Sequence, residues 1–511
     1  LVDMYSKCGS LVNAKKVFDD LDVRDVVSWN TLISGYAQHG CGWEALLCLK
    51  QMQEDGIAPN TITYFSSLKA CGHIEVASYE GRQLHAIIVA DSSLKRNFDV
   101  CKFVMAMYAQ CGMLSKAKQL FEMLTIQDTA SWNMLIAGYV KHEHGEEALD
   151  YFKKMQQQGV AIDSATIMLN MKACSSLGSI DNLHILHDEL MFKGVIDGND
   201  VIGNALVDAY MKCGSFYEAK EVFDNLSHRD IISWNTLITG YVKQGHSEEC
   251  LNCFEQMQFE GASPNLVTFL SCLKACSSIG AISKGEKIYS EIARVGLCEI
   301  NHSIGNALVD MYAKCGLHPQ AEEVFIRLGV KDLVTWTALL AGYSQLGDYE
   351  NVFRLFARML DDGQKVNLIT LNSVLNACNH AGQVEQGECC FLAMDKIYKI
   401  DQTLEQFSCM LDILSRAGQL EKAAIMIMEM PFHPDLAVWN IFLGACRKWG
   451  NVGMGKYAFG HAINMDKKDM TAYVCMRNIY ADAGMQEEAT RIEAMRMCNV
   501  FPEEYTMCIV D

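Results

Sequence analysis

Two kinds of chemistry are open to the polar side chains of this 511-residue chain. The first is metal-assisted hydrolysis. A zinc site for deamination needs His-x-Glu and, some distance later, Pro-Cys-x-x-Cys, so that three ligands hold the metal while the Glu shuttles protons. His246-Ser247-Glu248 and Cys250-Leu251-Asn252-Cys253 carry these letters. They are nearly contiguous, lack the Pro, and place Cys250 on the apolar face of a helix. His73-Ile74-Glu75 and His144-Gly145-Glu146 have no cysteine pair at suitable spacing. No phosphate-binding Gly-rich loop or Ser-His-Asp arrangement stands out, so no catalysis, metal or cofactor is expected. The second kind is hydrogen bonding by short amides, carboxylates and hydroxyls. Asn30/Asn60, Asn133/Asp163, Asn204/Asp230, Asn235/Asn265, Asn306/Asp332 and Thr337/Asn367 recur at two fixed places of a repeating pattern.

The pattern is set by phased markers. Ser28-Trp29-Asn30, Ser131-Trp132-Asn133, Ser233-Trp234-Asn235, Thr335-Trp336-Thr337 and Val438-Trp439-Asn440 follow one another at 103, 102, 102 and 103 residues. Lys7-Cys8-Gly9, Gln110-Cys111-Gly112, Lys212-Cys213-Gly214 and Lys314-Cys315-Gly316 form a second series. Lys69-Ala70-Cys71, Lys172-Ala173-Cys174, Lys274-Ala275-Cys276 and Asn376-Ala377-Cys378 form a third. Each unit divides into three similar pieces, in the third unit 231–265, 266–301 and 302–332.

Every piece reads as two short amphipathic helices. Trp234, Ile238 and Tyr241 share one face of a first helix, and Cys250, Phe254 and Met257 one face of a second. Gly245 allows the turn between them, and Gly261 with Pro264-Asn265 closes the piece. Helix pairs this short cannot bury their stripes alone but can when stacked, so the expected fold is all-α, an α-solenoid of helix-turn-helix repeats. The marker cysteines, Met52, Met155, Met257 and Met359, and the tryptophans are expected in the core.

Composition agrees. Half of the residues are hydrophobic, and six prolines leave few forced helix breaks. No stretch is apolar enough to span a membrane. The net charge of −19 is the wrong sign for a non-specific nucleic-acid coat. The chain opens at Leu1-Val2-Asp3 without an initiator Met or targeting segment, which suggests a piece of a longer protein.

Val27-Ser28-Trp29-Asn30-Thr31-Leu32-Ile33-Ser34-Gly35-Tyr36, ending in Gly56-Ile57-Ala58-Pro59-Asn60, closely resembles the pentatricopeptide repeat (PPR) pattern. The alternation of 35-, 36- and 31-residue pieces is similar to the plant PLS subclass, and 204–214 resembles an S motif. On this phasing a partial S motif (1–25) precedes four triplets, 26–128, 129–230, 231–332 and 333–435. The piece 404–435 is similar to the terminal S motif of editing-type members, 436–469 to their E1 motif and 470–511 to E2. Residues 501–511 depart from the usual E2 ending. A DYW deaminase domain, with which many such proteins end, is not found.

The resemblance implies an organellar protein, mitochondrial or chloroplastic, that binds single-stranded RNA with one base per repeat, as described for PUF and PPR arrays. The residue pairs named above would read the bases, and Val27, Ile232 and Val334 would sandwich them. Asn/Asp pairs then favour U, Asn/Asn a pyrimidine and Thr/Asn an A. Phe65, Met168 and Leu270 offer no hydrogen bond, and Lys102 with Asp128 is assigned no base. With RNA running 5′ to 3′ along the chain, the element is YNNUNUYNUA, with a weak purine preference at Ser408/Asp435. Any one such Asn or Asp is equally explained as a helix cap or turn residue. Six pairs in phase favour base reading. The E1/E2-like tail implies a deaminase recruited in trans for C-to-U editing. A PPR factor for RNA stability, splicing or translation, or a protein-binding scaffold, are the alternatives.

Overall fold

The computed structural model describes residues 1–72, 78–90, 98–194, 198–296 and 301–500. The ending 501–511 and the triplet His73-Ile74-Glu75 lie outside the described residues. Among the described residues there are thirty helices and no strand. They fall into two compact units, Leu1–Pro264 and Asn265–Asp511.

Within each unit the building block is a helix pair such as Val26–Gln38 with Gly42–Glu54, or Leu333–Gln345 with Tyr349–Asp361. Most first helices start at a carboxylate or amide that accepts from the backbone N–H three residues on. Asp25 takes Ser28, Asn60 takes Thr63 and Asp163 takes Thr166 in the first unit, while Asp332 takes Thr335 and Asn367 takes Thr370 in the second. Such a cap stabilises a helix by about 1 kcal/mol. First helices pack on the next first helix: Val26–Gln38 on Thr61–Cys71, and in the second unit His302–Lys314 on Leu333–Gln345. Second helices close the groove on the other side, with Gly42–Glu54 touching both Val26–Gln38 and Thr61–Cys71. First helices therefore line one surface of each unit and second helices the other.

The core repeats with the sequence. Trp29, Trp132, Trp234 and Trp336 are buried and meet the edge of Phe18, Phe121, Phe223 and Phe325 at ring-centroid separations of 4.5, 4.6, 4.7 and 4.6 Å. Each Phe comes from the second helix of the preceding pair, so the aromatic contact joins consecutive repeats and adds about 0.5–1.5 kcal/mol beyond area burial. Met52, Met155, Met257 and Met359 are fully buried, as their spacing predicts. First helices approach closely where Gly138 faces Ala109 and Gly342 faces Ala313. A Cβ on either glycine would stand 2.5 Å from the alanine Cβ.

The cysteines divide. Cys71, Cys174, Cys276 and Cys378 are fully buried, and burial pushes the thiols of Cys174 and Cys378 up to about 12 and about 11. Those of the Lys/Gln-Cys-Gly series are not core residues, contrary to expectation: Cys8 is exposed, and Cys111, Cys213 and Cys315 are half-buried. They follow the last turn of their helices, where Cys111, Cys213 and Cys315 direct Sγ at the carbonyls of Cys71, Cys174 and Cys276 at 3.5, 3.8 and 3.9 Å. The thiol is a weak donor to a carbonyl at the end of the neighbouring helix.

Candidate nucleic-acid interface

Three positions converge on the surface lined by first helices: the second and fifth residues of a first helix and the cap of the next one. The second and fifth lie three apart on one helix face. Val27, Ile232 and Val334 occupy the second position and are 69, 62 and 59 % exposed, unlike the rest of their apolar stripes. A cleft of about 330 Å³ opens at the first complete pair, with Val27 and Ile62 among its walls and Asn30 and Asn60 among the polar groups lining it.

The fifth residue and the next cap are joined by hydrogen bonds. Asn30 Nδ2 donates to Asn60 Oδ1 at 3.1 Å, and Asn133 Nδ2 donates to Asp163 Oδ1 at 3.0 Å. In the second unit Asn306 Nδ2 reaches both oxygens of Asp332, at 3.1 and 2.9 Å. A threonine holds each amide from behind. Thr63, Thr166 and Thr335 place their hydroxyls 2.6, 2.7 and 2.6 Å from the Oδ1 of Asn30, Asn133 and Asn306. The hydroxyl holds the amide oxygen, so the Nδ2 group faces the cap side chain. Asn60, Asp163 and Asp332 cap their helices through one oxygen and retain further hydrogen-bonding capacity.

Burial pushes the Asp163 and Asp332 carboxyls up. The bonds from Thr166 and Asn133, and from Thr335 and Asn306, outweigh it and hold both below the usual carboxylate range. The backbone N–H of Ser233 is the main cause that lowers Asp230. All three are ionised at neutral pH.

Two pairs depart from this arrangement. Asn204 and Asp230 are not bonded to each other, and Asn204 Oδ1 is buried without a partner. The supporting residue is Ser233, whose hydroxyl turns to Asp230 itself at 3.0 Å. Thr337 donates to the carbonyl of Val334 at 3.0 Å rather than to Asn367, which caps Thr370. Asn235 holds the fifth place of Ile231–Lys243, and Asn265 caps Leu266–Ile279.

Lys102 stands at the same fifth position and bridges Asp99 at 3.1 Å and Asp128 at 3.2 Å. Burial opposes its charge, but the two carboxylates outweigh that and raise its pKa. Asp99 replaces the apolar wall there. Phe65 lines an apolar cleft with Ile62 and Phe103.

The wall set is larger than the sequence reading had it: Ile62, Val201, Val267 and Ile369 are exposed at the same second position. The signal was present, because each stands two residues after an Asn. Asn372, the fifth residue of Leu368–Ala381, is a further polar group at this place and accepts from Gln406 Nε2 at 2.8 Å.

Among the described residues no group of three His, Cys, Asp or Glu side chains could hold a metal, and Cys250 and Cys253 are buried. No helix among them is long and apolar enough to cross a membrane.

A model described as the PPR repeat family matches residues 24–73, 127–176, 229–278 and 331–380, and a PPR repeat model matches 100–125, 204–231, 306–333 and 407–432. A mitochondrial pentatricopeptide repeat-containing protein of Arabidopsis thaliana is 33% identical over 496 residues, 96% of this chain and 71% of that protein. A chloroplastic one is 33% identical over 492 residues, covering 96% of this chain and 60% of that protein. The chain thus spans only part of the length of these relatives. Among solved structures, the pentatricopeptide repeat protein PPR10 from maize aligns at TM-score 0.62 and 17% identity over 97% of this chain and 78% of its own. The same protein in complex with an 18-nt psaJ RNA element aligns at 0.65 and 17%, over 98% and 84%. Repeat matches, relatives and fold agree with the capped, tryptophan-cored helix pairs described above, and the chain belongs to the pentatricopeptide repeat family.

Proposed function

We propose that this protein binds single-stranded RNA through the surface lined by its first helices and selects the sequence YNNUNUYNUA. The observation that carries this reading is the Asn–cap pair, held from behind by threonine at a cleft between exposed apolar side chains. An outward N–H from the fifth residue fits the O2 carbonyl that uracil and cytosine share. The neighbouring ring position is N3–H in uracil and a lone pair in cytosine. An ionised Asp at the cap accepts from N3–H and favours U, whereas an Asn can turn N–H outward and serves a pyrimidine more broadly. The apolar walls exclude water and stack on the base faces. With a net charge of −19, affinity rests on base edges and the salt dependence is shallow.

The finer reading is an organellar C-to-U editing factor, in a mitochondrion or chloroplast, whose 436–511 tail engages a deaminase in trans. Its support is the E1- and E2-like sequence of that tail, together with the compartments named for the Arabidopsis relatives. The test is a gel-shift titration with RNA carrying the element against a scrambled control. Preference of tenfold or more is expected, about 1.4 kcal/mol. Equal binding would overturn base reading and leave a protein-binding solenoid.

A further inference from the structure

The tail repeats the geometry of the pairs. Asn440 is the fifth residue of Leu436–Lys448, and Asp469 caps Met470–Asp482 by accepting the Thr471 N–H at 3.0 Å. Asn440 Nδ2 donates to Asp469 Oδ2 at 2.8 Å, the bond made by Asn306 with Asp332. The supporting threonine is missing: residue 472 is a buried Ala, and Asn440 Oδ1 is buried without a partner. Asp469 caps its helix through the other oxygen, and the Asn440 amide gains no inward partner. The next fifth position is Val474, so the series of polar pairs stops here. Beside Asp469, the exposed Lys467 and Lys468 are in no ion pair among the described residues, two cations next to the pair in an acidic chain.

We propose that the segment 436–469 is itself an RNA-reading repeat: Asn440 and Asp469 bind one nucleotide with preference for uridine, and Lys467 and Lys468 meet its phosphate. This rests on the reading of the Asn/Asp pairs above. It extends the bound RNA past the 404–435 repeat, so the nucleotide concerned is the third one 3′ of the final A of the element. The absent threonine leaves Asn440 less firmly oriented than Asn306, so discrimination is weaker here than at the Asn306/Asp332 nucleotide.

The test is fluorescence anisotropy of the full chain with single-stranded RNAs carrying YNNUNUYNUA and each of the four bases at that third position. U should bind about fivefold tighter than C, the worth of one hydrogen bond. Asp469→Asn, which keeps the cap, should abolish or reverse that ratio, and Ala472→Thr should sharpen it. Equal affinity for all four bases, with U preference intact at the Asn306/Asp332 nucleotide, would overturn this inference alone. Loss of preference at both nucleotides would overturn it together with the reading on which it rests.

Discussion

The sharpest perturbation is Asp332→Asn. Asp332 Oδ1 accepts from the Thr335 N–H at 2.9 Å and contacts its hydroxyl at 2.7 Å, while Asn306 Nδ2 lies 2.9 Å from Oδ2. The substitution keeps an oxygen at the cap, where Asn and Asp rank alike, so stability should change by only a few tenths of a kcal/mol, roughly. The altered pair has a precedent in this chain. Asn60 Oδ1 accepts from Asn30 Nδ2 at 3.1 Å and from the Thr63 N–H at 3.0 Å, so the cap uses its oxygen and not its own Nδ2. Uracil would then lose a bond to an ionised acceptor, about 1.5–3 kcal/mol, and cytosine would gain a neutral one, about 1 kcal/mol. The swing of roughly 2.5–4 kcal/mol is about 70- to 900-fold in the ratio of Kd values. Anisotropy titrations with two RNAs, differing only as U or C at that nucleotide, read it directly. A ratio within about twofold of wild type, in a protein that melts normally, would refute the assignment of the outward atom.

Four further outcomes are expected. Asn306→Thr combined with Asp332→Asn recreates the Thr337/Asn367 combination and should move the preference at that nucleotide from U to A; unchanged preference in a base-substitution panel counts against the pair rule. Gly342→Ala places a Cβ 2.5 Å from the Ala313 Cβ and 3.2 Å from its Cα, so it should cost about 1–3 kcal/mol in urea unfolding. Gly444→Ala, with open space around it, should stabilise by roughly 0.5–1 kcal/mol, and equal effects of the two would contradict the close helix approach. Because the Asp163 and Asp332 carboxyls lie below their ordinary value, their contribution is present above the unfolded-state pKa and is lost only as pH falls through the depressed folded one. U-over-C selectivity should therefore be flat between about pH 5 and 8, and a midpoint inside that window would mean another group governs recognition.

Periodicity alone determined the helix pairs, their stacking and the burial of Trp29, Trp132, Trp234, Trp336 and the second-helix methionines, because a 3.6-residue stripe has one way to leave water. It also located the polar pairs, while the resemblance to the PPR pattern picked out Val27, Ile232 and Val334. The linear text could not tell cap from base reader, since both need a short polar side chain after a turn. The fold shows that one residue, such as Asp332, caps its helix and also bonds the fifth residue of the preceding first helix. Nor could the text distinguish Asn204 from Asn306. Asn306 bonds Asp332 and is held by Thr335, whereas the Ser233 hydroxyl turns to Asp230 and Asn204 does not bond it. Lys/Gln-Cys-Gly and Ala-Cys look equivalent as markers, yet one thiol lies at a helix end and the other in the core. Such facts depend on groups about 30 residues apart being brought within 3 Å by repeat stacking. Only the tertiary structure decides that, because hydrogen-bond direction and rotamer are properties of the assembled surface rather than of any single helix.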